Sequence, residues 1–142
     1  MINTLVGDIK TGRLLRLQYI GYSLVLLLMV LGFVFFTILA IGAGEHLFNG
    51  NLQEAQAQLQ DWFSLPFILA FGVFMIVLLF SSMNIMAKRI RDIGLPGWIT
   101  VFGVMILEGI VSVVISEESG SSLHTVVWLL LVLVPSNTLG KE

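Results

Sequence analysis

Long apolar runs alternate with short polar connections along this chain. The first run extends from about Gln18 to Ala43, the second from about Leu65 to Ala87, and the third from about Trp98 to Ser116. At about 1.5 Å of rise per residue, each approaches or exceeds the roughly 30 Å of a bilayer's hydrocarbon core. A fourth run, Leu123 to Val134, gives only about 18 Å of helix, and counting it from Ser119 to Pro135 brings it close to a span. The pattern predicts an all-α fold. Residues 1–142 form one integral membrane domain, a bundle of four transmembrane helices over about 18–43, 65–87, 98–116 and 119–135. A re-entrant last segment is the competing reading of the fourth run.

The connections carry their own signals. In residues 1–17, Leu5, Ile9, Leu14 and Leu15 suit a segment lying along the membrane surface, with Arg13 and Arg16 reaching for lipid phosphates. Tyr19 and Tyr22 fall where an interfacial aromatic belt is expected. The first run is too long for the roughly 7–15 residues of a signal-peptide core, so it reads as a retained anchor. Between Asn51 and Phe63, Leu52, Ala55, Leu59 and Trp62 recur near helical spacing. This predicts a short amphipathic helix in the first outer loop, against a solvated spacer anchored by Trp62 and Phe63. Pro66 fits the first turn of a helix. Lys88 to Trp98 holds two Gly and a Pro and reads as a basic turn that ends one helix and begins the next.

Charge gives the orientation. Lys10, Arg13 and Arg16 precede the first run, Lys88, Arg89 and Arg91 separate the second from the third, and Lys141 follows the last. The connections around Glu45 to Asp61 and Glu117 to Ser122 hold no Lys or Arg. Basic residues beside a span resist translocation, so this segregation predicts both termini in the cytoplasm. Only 11% of residues are charged, against roughly 25% in soluble domains, and 57% are hydrophobic, with a mean hydropathy of +0.99. The absence of Cys excludes disulfides and thiolate chemistry. His46 and His124 lack ligand spacing, so no metal or cofactor is expected. Without a basic tail, neither is nucleic acid.

The densest polar cluster falls on the expected inner face: Arg13, Arg16, Lys88, Arg89, Arg91 and Asp92, with Trp98 beside them and Asn137 past the last run. Arginine offers a planar fork that matches phosphate, so these residues are candidates for anionic lipid or partner binding. The structural alternative is that topology alone places bases there. Asp92 is not explained by topology; it either pairs with Arg89, Arg13 or Arg16, or caps the helix starting near Gly97. Three segments here carry a resemblance. Gly12-Arg13-Leu-Leu-Arg16-Leu-Gln-Tyr19 resembles the Gly-Arg-x-x-Arg-x-x-Tyr opening of a family of small bacterial inner-membrane proteins known as domain of unknown function 805. Arg89-Ile-Arg91-Asp92-Ile-Gly94-Leu-Pro-Gly97-Trp98 resembles its central Arg-Leu-His-Asp-Ile-Gly-x-x-Gly-Trp signature, and Asn137-Thr-Leu-Gly140 its closing Asn-x-x-Gly. Ile20 stands where the family usually has Trp. Arg91 stands where it often has His, which argues against a His-based acid–base role. The resemblance implies a multi-span bacterial inner-membrane protein and no established activity.

Glu108 is the remaining feature, about 16 Å into the third run. An ionisable residue there costs about 2.5–3.5 kcal/mol on insertion scales, so its carboxyl is expected to face the bundle. Thr37, Ser81 and Ser112 are the candidate partners. It serves either as a polar contact between helices or subunits, or as part of a proton or ion pathway. No nucleophile, base and metal constellation points to an enzyme. The expectation is a non-enzymatic accessory or regulatory module that binds membrane lipids or a membrane-protein partner through its inner face. The alternative is a small homo-oligomeric channel or transporter using Glu108.

Overall fold

A computed structural model describes residues 2–40, 53, 57 and 65–139 of the chain. The described residues contain helices and no strands. These are α1 (Ile2–Val6), α2 (Arg16–Ala40), α3 (Leu65–Ile93), α4 (Gly97–Val114) and α5 (Glu117–Leu133). The amphipathic helix expected in the first outer loop lies outside the described residues. Three helices, α2, α3 and α4, are long and apolar enough to cross a membrane. The fourth, α5, has 17 residues, about 26 Å of helix, and is not among them.

Each boundary has a local cause. Gln18 Oε1 accepts a hydrogen bond from the Leu15 amide at 3.2 Å, the reciprocal half of a capping box at the start of α2. The C-terminal end of α3 is a Schellman motif. Gly94 takes φ 108°, its amide bonds to the Arg91 carbonyl at 3.1 Å, and the Leu95 amide reaches the Ile90 carbonyl at 3.1 Å. Pro96 then bars continuation. Ser116 caps α5, its hydroxyl accepting from the Ser119 amide at 3.2 Å, while Glu117 and Glu118 complement the helix dipole.

The 29 residues of α3 span about 43 Å, more than hydrocarbon requires. This corrects the expected basic turn. Lys88 to Asp92 are helical, and the chain breaks only at Gly94. Breaker residues end a helix where they stand, and none precedes Gly94 in this stretch.

Two compact units divide the chain. One holds residues 25–79, the other 1–24 and 80–142. In the first, Phe33 stacks on Phe74 with ring centroids 4.3 Å apart and tilts toward Phe71 at 5.8 Å, while Leu26 and Leu78 are buried. Phe35 and Phe36 are exposed, as are many large apolar side chains along the helices, which suits an apolar solvent.

The second unit has an unusual core. Leu5, Leu14, Tyr19, Ile85, Ile90, Ile93, Val101 and Leu131 are buried together with Asn84, Lys88, Arg89 and Asp92. Leu5 and Leu14 therefore pack inward instead of lying along a membrane surface, while Ile9 and Leu15 are exposed. Gly97 makes the α3–α4 turn tight: a Cβ there would collide with the Ala87 carbonyl and come within 2.9 Å of Arg91 Cγ. Neither backbone can yield cheaply. Gly97→Ala is expected to cost about 1–3 kcal/mol through overpacking. A lowered thermal unfolding midpoint in detergent checks this.

Candidate functional site

The last turns of α3 place polar side chains on two faces. Asn84, Lys88 and Arg91 follow the i, i+4, i+7 spacing of one face and grip the N-terminal segment. Asn84 Nδ2 donates to the Leu5 and Gly7 carbonyls at 2.9 and 3.0 Å. Lys88 Nζ donates to the Thr4 carbonyl at 2.6 Å. Arg91 Nη1 meets the Ile9 carbonyl at 2.6 Å, where Trp98 Nε1 from α4 also arrives at 2.9 Å. In return the Leu14 amide donates to the Lys88 carbonyl at 3.3 Å.

Arg89 and Asp92, spaced i, i+3, serve the other face. The Arg89 side chain is fully buried. Its Nε donates to the Leu131 carbonyl at 2.8 Å and its Nη2 to the Val134 carbonyl at 2.5 Å. Its Nη1 bonds to the Leu14 carbonyl at 3.4 Å and pairs with Asp92 Oδ2. The carbonyls of Leu131 and Val134 belong to the C-terminal end of α5, where helix acceptors lack intrahelical donors and the dipole is negative. Arg89 thus satisfies three carbonyls and one carboxylate with one rigid fork. Asp92 also accepts from Ser136 Oγ at 2.6 Å. The tail then docks on the end of α3: the Asn137 amide donates to the Asp92 carbonyl at 2.7 Å, and the Leu139 amide to the Ile93 carbonyl at 3.0 Å. Asn137 adopts φ 59°, a left-handed conformation that Asn tolerates.

The expected site residues therefore separate. Arg89 and Asp92 lie in the core, and Arg91 and Trp98 are half-buried against Ile9. Asn137 is exposed and held through its backbone. Asp92 pairs with Arg89, as one of its two expected roles required, and does not cap α4, whose N-cap is Pro96 without a side-chain cap. Arg13 and Arg16 are exposed. Arg16 Nη1 reaches the Leu133 carbonyl at 3.3 Å, whereas Arg13 has no hydrogen bond or ion pair among the described residues. Arg13 lines a cleft of about 220 Å³ with Lys88, Asp8, Gly12, Gln18 and Tyr22. A Cβ on Gly12 would fall 2.8 Å from Lys88 Cε and 2.8 Å from the Asp8 carbonyl oxygen, so glycine allows this close approach.

The sequence marks Lys88 only as one base of the inner-face cluster and does not mark Asn84 or Ser136 as site residues. The i, i+4, i+7 spacing would have exposed the first two, had the helix been extended to Ile93. Glu108 lies elsewhere, on α4, with its Oε1 3.1 Å from His124 Nδ1 of α5. Its carboxyl does engage a neighbouring helix, but the partner is neither Thr37, Ser81 nor Ser112.

With this geometry in place, the family can be assigned. The family model described as "Protein of unknown function (DUF805)" matches residues 10–140. The chain belongs to the DUF805 family. No curated protein matches the chain. No solved structure matches it either. The match includes the Arg89–Asp92 network and its α5 and tail partners, while α1, gripped by Asn84 and Lys88, precedes it.

Removing Arg89 leaves a buried carboxylate and several carbonyls without donors. Arg89→Ala is expected to cost about 3–5 kcal/mol, as when one partner of a buried ion pair is deleted. Arg89→Lys should recover only part of this, since one ammonium cannot span the same acceptors. Thermal unfolding of both variants in one detergent measures the difference.

Proposed function

We propose that this DUF805 protein is a multi-pass protein of the bacterial inner membrane, with four spans and both termini in the cytoplasm. It is a non-enzymatic accessory or regulatory module whose cytoplasmic face binds anionic lipid head groups. One observation carries the reading: Arg13 is exposed and, among the described residues, without a hydrogen bond or ion pair at the rim of a polar cleft, and Lys10 and Arg16 are exposed in the same N-terminal segment. Lys88 and Arg89 are buried and bonded to backbone carbonyls, and Arg91 is half-buried with Nη1 on the Ile9 carbonyl. The head-group contact therefore falls to the exposed cations Lys10, Arg13 and Arg16. The segregation of basic residues supports the orientation. With about 26 Å of helix, α5 needs only slight thinning of the bilayer to cross it.

A second reading, a small oligomeric channel or transporter, draws on the Glu108–His124 pair. Ion flux into proteoliposomes that is lost in Glu108→Gln would favour it over the first.

The topology is directly testable because the chain has no Cys. Glu117→Cys, exposed at the α4–α5 turn, should react with an impermeant maleimide added to intact spheroplasts, and Leu139→Cys only after permeabilisation. Labelling of Leu139→Cys from outside would overturn the orientation.

The lipid site is tested by replacing Lys10, Arg13 and Arg16 together with Gln. Each basic residue near an anionic surface contributes about 1 kcal/mol, so affinity for phosphatidylglycerol should fall by roughly 100-fold. Native mass spectrometry of retained lipid reads the loss, with unchanged thermal stability as the check on folding. Retention equal to the parent protein would sink the lipid reading and leave partner binding.

A further inference from the structure

The α4–α5 hairpin presents a polar pair where lipid cannot satisfy it. Glu108 lies six residues before the end of α4, and His124 seven after the start of α5. Both therefore sit about 10 Å from the Ile115–Ser116 turn, well inside hydrocarbon if the hairpin spans the bilayer. The Glu108 side chain is 19% exposed, but that of His124 is 62% exposed. His124 Nδ1 is engaged by Glu108 Oε1. Its Nε2 and the second carboxyl oxygen have no hydrogen-bond partner among the described residues. Unlike Lys or Arg, neither side chain is long enough to reach an interface from that depth. An open groove of about 400 Å³ surrounds the pair, floored by Gly109, Ser112, Gly120 and Ser121. Gly120 brings the helices together there, since a Cβ would lie 2.8 Å from Ser112 Cβ.

We propose that this face of the hairpin is the interface between two copies of the chain. Self-complementarity selects the occupant. Each copy offers one free acceptor on Glu108 and one free ring nitrogen on His124. A two-fold axis through the groove sets the carboxyl of one copy opposite the imidazole of the other, so each copy supplies what its partner lacks. The low wall at exposed Gly109, where a Cβ would meet nothing within 4 Å, admits the approach of a second helix backbone. The pairing rests on α4 and α5 lying in the bilayer and does not depend on the cytoplasmic face binding lipid.

Cysteine cross-linking of the full chain in native membranes tests it. Ser121→Cys, one turn from His124 on the same face, should form a disulfide-linked dimer under copper phenanthroline. Ile106→Cys, on the far side of α4, should not. Equal cross-linking at the two positions, or none at position 121, overturns the proposal. Charge exchange then probes the pairing. Glu108→His alone and His124→Glu alone should each lower the dimer fraction at least about 10-fold in native mass spectrometry. The double variant Glu108→His/His124→Glu should restore it, because each copy again carries one acid and one base. Single variants that remain as dimeric as the parent would overturn the pairing. Should a single variant fail to fold, the Ser121→Cys result on the unaltered pair still decides.

Discussion

The guanidinium of Arg89 is the constraint on which the second unit depends. A fully buried cation is expensive, and only near-complete hydrogen bonding makes it tolerable. Here the partners are one carboxylate and carbonyls from separate parts of the chain: Leu14 before α2, and Leu131 and Val134 at the end of α5. No apolar side chain could hold these segments in the same way, because the carbonyls themselves need donors. The charge and the helix end solve each other's problem.

The same logic explains why α3 is so long. Its apolar part alone would end near Ala87, yet the helix runs on to Ile93. The added turns project polar groups at fixed angular offsets, one face toward the N-terminal segment and the other toward the tail. A loop would not hold Asn84, Lys88 and Arg91 in line. The Schellman closure at Gly94 and the close approach at Gly97 then return the chain at once, so that Trp98 shares the Ile9 carbonyl with Arg91. Local turn chemistry and tertiary hydrogen bonding are thus consistent with each other.

Much of this was legible beforehand, and the misses have physical causes. Apolar run lengths located α2, α3 and α4, because hydrocarbon thickness leaves little freedom. The Asp92–Arg89 pair was among the expected partnerships. The boundary of α3 is the exception: the Gly and Pro beyond Ile93 and the density of charge together suggest one turn. Leu5 and Leu14 suit a membrane surface by sequence, which does not show that Asn84 and Lys88 pull that segment inward. The most consequential partners, backbone carbonyls of Thr4, Ile9, Leu131 and Val134, have no signature in residue identity. The His124 contact of Glu108 was missed because the hairpin register that levels the two residues is a tertiary property.

These observations reassign the meaning of the motifs that mark the family. Arg89, Asp92, Gly94, Gly97, Trp98 and Asn137 all occur in them, and each has a structural task here: a buried ion pair, a helix stop, a close approach, a shared carbonyl, a docked tail. Such a signature describes how this unit folds, and by itself indicates no ligand. Function must be sought in charges that folding does not consume. Before and at the start of α2 those are the exposed cations Lys10, Arg13 and Arg16, of which Arg13 lines a polar cleft and Arg16 makes one exposed bond to the Leu133 carbonyl. At the hairpin they are the valences of Glu108 and His124 that no described residue uses. The first set is cationic and faces an anionic surface in the proposed orientation. The second is an acid and a base in equal number, which a lipid cannot match and a copy of itself can.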